Sequence, residues 1–272
     1  MKKDDFVVWE NLMYHRFGIK SNIDLHGGYI IKFGKNLNIQ AGVTETVWNT
    51  GGHEVYAVAN DIDTISSSDA LDLQTIVVEG HMIDADDDHI KVVQYATLNG
   101  QNKVVLDIPL HGVQRLYNIG TVDFVGNIYV YEDTAIVAGV PTDNTKVHLT
   151  VNPEDNQSLK AAVTTNYDEF LIITDITLSV NKTNSTAVVD FAIQIREKAN
   201  VFRTRYTSVV ASANGSRQLE FRQPIFVPPN SDVRVIATSN ANNTGVEAIM
   251  HCFYSKVHPE YLSNGIKTEI TL

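Results

Sequence analysis

The chain has 272 residues, 43% hydrophobic and 19% charged, with 32 acidic against 21 basic side chains and a net charge of −11. That composition excludes a disordered chain, and the length suffices for one large or two ordinary domains. The acidic balance argues against a nucleic-acid partner or an anionic membrane surface, since both need basic side chains.

Residues 1–25 read as an N-terminal arm. Trp9, Tyr14 and Phe17 stand among Lys2, Lys3, Asp4, Asp5, His15 and Arg16 with no clean period. Large aromatics left in water are costly, so the arm is expected to dock on a neighbour or to fold back on its own chain as a short helix. The segment lacks a long apolar core and a small-residue cleavage site, so no secretory signal is expected. No apolar run reaches the length of a membrane span.

From Gly27 the turn signals become dense: Gly27-Gly28, Gly51-Gly52 and Asn99-Gly100. Between them Tyr29–Phe33, Val43–Trp48, Val55–Ala59, Thr75–Glu79, Ile90–Leu98 and Lys103–Ile108 are short and rich in β-branched and aromatic residues, as strands are. Asn99-Gly100 between two such runs predicts a hairpin. Val122–Tyr131 and Ile136–Gly139 follow, and Pro153-Glu154-Asp155-Asn156 reads as a linker. Longer strands are expected at Gln157–Thr164, Glu169–Asn181, Ser185–Glu197, Phe202–Val210, Arg217–Arg222 and Glu247–Val257, with hairpin turns at Asn181–Ser185 and Ala213–Ser216. In Phe221–Thr238, Pro228 and Pro229 fix φ and end one strand, and Asn230-Ser231-Asp232 supplies the corner. Val233, Val235 and Ala237 then alternate with polar residues, the pattern of a half-buried strand. No helical period intervenes. The fold class is therefore all-β: tandem antiparallel β-sandwich (jelly-roll-like) domains at 26–152 and 156–272 behind the arm, with one large elaborated sandwich as the alternative.

Little in the chain points to chemistry. Asp84, Asp86 and Asp88 form a dense acidic loop. Clustered carboxylates suit Ca²⁺, but the glycine and glutamate of an EF-hand are missing, and a solvated acidic turn explains the run equally. The nine histidines are scattered without the spacing of a zinc-protease helix. There is no nucleophile elbow and no phosphate-binding glycine loop, so neither an enzyme nor a cofactor is expected. Cys252 is the only cysteine and lies in a strand-like run, as a packed core thiol does. Arg203 and Arg205 share one strand face that can meet a partner's carboxylates or lie with stems over apolar neighbours.

Val92–Pro109, Val113–Gly120 and Gly126–Val130 in this order, with Ser66-Ser67-Ser68 and Val78-Glu79-Gly80 upstream, resemble a module of tailed-bacteriophage virion proteins. Asn156–Leu159, Ile176–Thr183, Val201-Phe202-Arg203 and Pro224–Val233 are similar to the same group, so the resemblance covers about residues 40–255. It implies a non-enzymatic virion protein with β-sandwich domains. The leading form is a capsid decoration (cement) protein on the outside of the head, a homo-oligomer with a trimer expected, bound to the major capsid protein or other virion proteins. Assembly would take place in the host cytoplasm. A tail or head-fibre component is the alternative, as is a carbohydrate-binding module that stacks sugars on Trp9, Trp48, Tyr95 or Tyr129.

Overall fold

A computed structural model describes residues 27–182, 186–198, 200–212 and 215–256. Trp9, Tyr14 and Phe17 of the expected arm lie outside them.

In chain order the strands are β1 (Gly27–Ile39), β2 (Thr44–Thr46), β3 (Ile62–Ser67), β4 (Thr75–Ile83), β5 (His89–Thr97), β6 (Val104–Leu110), β7 (Gly112–Asn118), β8 (Ile128–Glu132), β9 (Ile136–Val137), β10 (Val140–Pro141) and β11 (Val147–Val151). They continue as β12 (Ala162–Thr164), β13 (Glu169–Asn181), β14 (Val188–Glu197), β15 (Arg203–Ala211), β16 (Ser216–Val227), β17 (Ser231–Ser239) and β18 (Thr244–Lys256). One 3-10 turn, Asn144–Lys146, is the only helical element among the described residues.

Two sandwiches with separate cores result. The first packs the sheet β11-β8-β3-β6 on the sheet β5-β4-β7 around Ile62, Ile65, Val78, Leu110, Leu116, Phe124 and Ile128. The second packs β1-β18-β13-β16 on β12-β17-β14-β15 around Ile173, Ile176, Phe191, Ile193, Val233, Val235 and Met250. Counted along their own eight strands, these two sheets run 1-8-3-6 and 2-7-4-5, the strand order of a jelly roll.

The sandwiches are nested rather than strung end to end. β2 pairs with β17 at Ile236–Thr238 and β12 pairs with the same edge at Asp232–Arg234. Between them Val47 N–H donates to the Val235 carbonyl, and Val235 N–H donates to that of Ala161. Thus 44–47 and 161–164 form two halves of one jelly-roll strand, and the first sandwich is inserted between them. The chain leaves and returns as an antiparallel stem, with Ala161 N–H on Val47 O, Asn49 N–H on Leu159 O and a bridge from Trp48 to Lys160. β1 and β2 therefore belong with the later strands, although they precede the first sandwich in sequence. Pro153–Asn156 is likewise no free linker: the Asn156 carboxamide oxygen accepts from Asn118 Nδ2 and Phe124 N–H, which pins the segment to the first sandwich.

The turn at Asn99-Gly100 forms, with Gly100 at φ +54° and Asn102 N–H on Asn99 O. The expected hairpin does not. β5 pairs with β4 and β6 with β3, so the turn carries the chain from one sheet to the other. Gln94 ties that corner, donating to Ile108 O and accepting from Ile108 N–H.

The Pro228–Ser231 corner stands as expected, with Asn230 in the left-handed region at φ +54°. β17 is not half-buried, however. Val233, Val235 and Ala237 enter the core, and on its other face Asp232 lies beneath the first sandwich and Ile236 is buried as well.

Cys252 is fully buried in the jelly-roll core, and burial pushes its thiol up to about 12. The thiolate is the reactive form, so a thiol reagent is expected to leave the folded protein untouched at neutral pH and to label one site per chain in denaturant. Ellman's assay with and without guanidinium reads this directly. Fast labelling of the native protein would place Cys252 outside the core.

Candidate functional site at the seam between the sandwiches

The outer face of β17 and β14 meets residues 54–60, β4, the start of β5 and the β6–β7 turn of the inserted sandwich. Val55–Ala59, expected as a strand, forms no ladder. It crosses the seam instead, with Ala57 N–H on His111 O.

The seam is polar and closed. Glu54 and Lys160 are 6% and 4% exposed and pair at 2.5 Å. Lys160 also donates to Val113 O and sits 5.3 Å from the Trp48 ring centroid. Asp232, 1% exposed, receives Arg196 through Nε at 2.9 Å and Nη2 at 2.7 Å on Oδ2, and Thr164 Oγ1 at 2.6 Å on Oδ1. The Arg196 guanidinium carbon is 4.3 Å from the Tyr56 ring centroid and 4.9 Å from that of Phe202, and that of Arg234 is 3.8 Å from the Phe202 centroid. Aromatic faces and a carboxylate oxygen that takes two of its N–H groups hold this guanidinium where water is largely excluded.

Against this network the fold gathers three histidines that sequence spacing left scattered. His81 comes from β4, His89 from the first position of β5 and His111 from the turn before β7. The ring centroids of His81 and His89 are 4.8 Å apart, and those of His81 and His111 5.5 Å. Tyr56 lies 5.8 Å from His81 and stacks on His111 at 5.7 Å. His81 and His89 are 1% and 3% exposed. Both ring nitrogens of His81, and Nδ1 of His89 and of His111, are buried without a hydrogen-bond partner. Burial holds His81 well below the ordinary imidazole range, helped by His89, His111, Lys160 and Arg196, and burial also lowers His89 and His111. These rings are therefore neutral at pH 7 and carry free lone pairs. A nitrogen of His81, a nitrogen of His89 and a carboxylate oxygen of Asp232 lie within 4.8 Å of one another. Of the other described histidines, His148 bonds Val55 O and Glu132, His251 pairs with Asp175, and His53 is exposed.

Beside this cluster opens a cleft of about 220 Å³ whose wall includes His81. Lys32, Lys91, Arg115 and Lys160 line it against Glu79 and Glu169. Burial lowers Lys32 to about 8.

The residues singled out in the sequence lie elsewhere. Asp84, Asp86 and Asp88 do not converge. Asp84 Oδ1 accepts from the Asp86 and Asp88 amides and shapes its own loop, while Asp88 pairs with Lys198 at 3.1 Å and accepts from Asn230 Nδ2. Arg203 and Arg205 are exposed on edge strand β15, and only Arg205 has a charged neighbour, Glu197 at 3.4 Å. The β14–β15 register slips at Thr204–Tyr206, so Arg205 is a bulge residue and is re-aimed relative to Arg203. Trp48 is 2% exposed and its indole N–H is taken by Gly51 O and Gly52 O, so it offers no face to a sugar. Tyr95 is 67% exposed.

No helix among the described residues is long and apolar enough to cross a membrane. No family model matches the chain, and no curated protein matches it. Among solved structures, the VP2 subviral particle of infectious bursal disease virus aligns over 87% of this chain and 78% of that chain, at 13% identity and a TM-score of 0.21. The Gt strain of the same virus aligns over 87% and 74%, at 12% identity and a TM-score of 0.22. At these scores the likeness carries no functional weight.

Proposed function

We propose that the chain is a non-enzymatic structural protein of a virus particle, a homo-oligomer that decorates and braces the outside of a capsid. The observation that carries this reading is the jelly-roll order of the eight outer strands, an architecture shared by capsid shells and lectins. It agrees with the virion resemblance in residues 40–255. A fold alone does not assign a task, but two features of this one suit a shell component. The double stem and the buried seam join the sandwiches without a free linker, so the body is stiff. At the β5–β6 corner Val93, Tyr95, Val105 and Ile108 are 50%, 67%, 70% and 41% exposed, apolar surface of the kind that marks protein–protein contact. This corner, Arg203 and Arg205 are the proposed contacts with further copies and with the major capsid protein.

In the virus that encodes the sequence, density-purified particles are expected to contain the chain in copies proportional to the shell, releasable without breaking the head. Particles that lack the chain would refute the assignment. A specific glycan bound by the free protein would favour the receptor-binding alternative.

A further inference from the structure

We propose that His81, His89 and Asp232 bind a borderline transition-metal dication of the Zn²⁺ class, with His111 as the nearest further donor, so that the ion staples the inserted sandwich to the jelly roll.

The donor set fits the ion. Zn²⁺ takes imidazole nitrogen and carboxylate oxygen in four-coordinate sites; catalytic sites keep three protein ligands and a water, whereas structural sites are closed by a fourth protein ligand, the place that His111 would fill here. Bonds of about 2.1 Å to a tetrahedral ion set ligand atoms roughly 3.4 Å apart. The three donors are within 4.8 Å of one another, so closure needs shifts on the order of 1 Å in side-chain torsions. Imidazole binds through a ring-nitrogen lone pair, and His81 and His89 each offer a buried nitrogen with no hydrogen-bond partner.

The unpartnered atoms are the independent observation. Buried polar atoms are nearly always paired, and leaving one unpaired is costly. Here four imidazole nitrogens on three neighbouring rings are buried without a partner. A bound ion satisfies several at once. One contact also resembles an outer shell: Thr164 Oγ1 donates to Asp232 Oδ1 and holds that carboxylate. Such contacts fix carboxylate orientation around metals. Arg196 opposes the ion by its charge, but it occupies Oδ2 of Asp232, and Oδ1 carries only the Thr164 bond.

The ligands come from both sandwiches. His81 and His89 belong to the insertion, and Asp232 belongs to β17 of the jelly roll. Metal binding thus acts on the angle between the two bodies, whatever the protein's role in a particle.

The test uses the full chain, stripped with chelator and titrated with Zn²⁺ alone by calorimetry, and separately with Co²⁺ by visible spectroscopy. One equivalent per chain is expected, with the d–d bands of four-coordinate Co²⁺ and a higher melting temperature in the metal-loaded sample. His81→Gln and His89→Gln, which keep the volume of the ring in part, are each expected to weaken binding by more than about 100-fold, beyond the loss seen for outer-shell partners. His53→Gln, on an exposed loop, is expected to change nothing. A folded wild-type protein that takes up neither ion overturns the proposal. So does uptake that survives both the His81 and His89 substitutions.

Discussion

Glu54→Ala is expected to cost the folded protein about 3–5 kcal/mol, the range for removing one partner of a buried ion pair. Both side chains are 3% exposed, and the Lys160 ammonium contacts Glu54, the Val113 carbonyl and the Trp48 ring. Without Glu54 a cation stays in a nearly dry seam with no counter-charge. The pair sits where the inserted sandwich joins the jelly roll, with Glu54 just past the outgoing arm of the stem and Lys160 on the returning arm. The loss should therefore appear as early separation of the two sandwiches. Urea unfolding followed by Trp48 fluorescence reads it, because that indole lies at the stem. The double variant Glu54→Leu, Lys160→Met is expected to recover most of the loss, since apolar residues of similar volume often replace a buried pair at little cost. A single variant as stable as the parent would show that the seam is wet and the pair screened.

Gly34→Ala is the second large effect, expected at roughly 3–4 kcal/mol and therefore a fall in melting temperature of ~10 °C. A Cβ on Gly34 would collide with the Val47 carbonyl oxygen, the Ala161 amide nitrogen and the Ala161 Cβ. The first two are the backbone atoms at which the interrupted strand is spliced. Nothing flexible stands in the way to move aside, so either β1 or the splice must shift. Differential scanning calorimetry of the purified variant measures the change. A melting temperature within a degree or two of the parent would mean that β1 does not pack on the splice.

The local content of the fold was readable from residue types, and its connectivity was not. Pro228, Pro229 and Asn230 marked a corner because proline ends a ladder and asparagine tolerates positive φ. Asn99-Gly100 marked a turn for the same kind of reason. Whether the strands flanking a turn pair with each other depends on which core their inward residues join. Here Leu106 and Leu110 of β6 pack from the sheet opposite Val92 of β5. The insertion was hidden because 44–47 and 161–164 are too short to read as halves of one strand. The alternation in β17 predicted its core face correctly. Asp232 and Arg234 looked like a solvent face and proved to be the seam, because polarity shows that a side chain needs partners and does not show that water supplies them. The histidine cluster left no trace in spacing: His81 lies in β4, His89 starts β5 and His111 precedes β7, and they meet only when β4 pairs with both neighbours in one sheet. One available signal was the presence of Arg196, Asp232 and Tyr56, a base, an acid and a phenol, in strand-like stretches of an all-β chain.

The measurement closest to the central claim is the solution mass of the full chain by light scattering across a concentration series. The account predicts a closed assembly of about three times the 30.2 kDa chain, which dissociates when Tyr95 and Val105 on the β5–β6 corner are both replaced by aspartate. A monomer at every concentration, with the double variant indistinguishable from the parent, would contradict a self-assembling structural role.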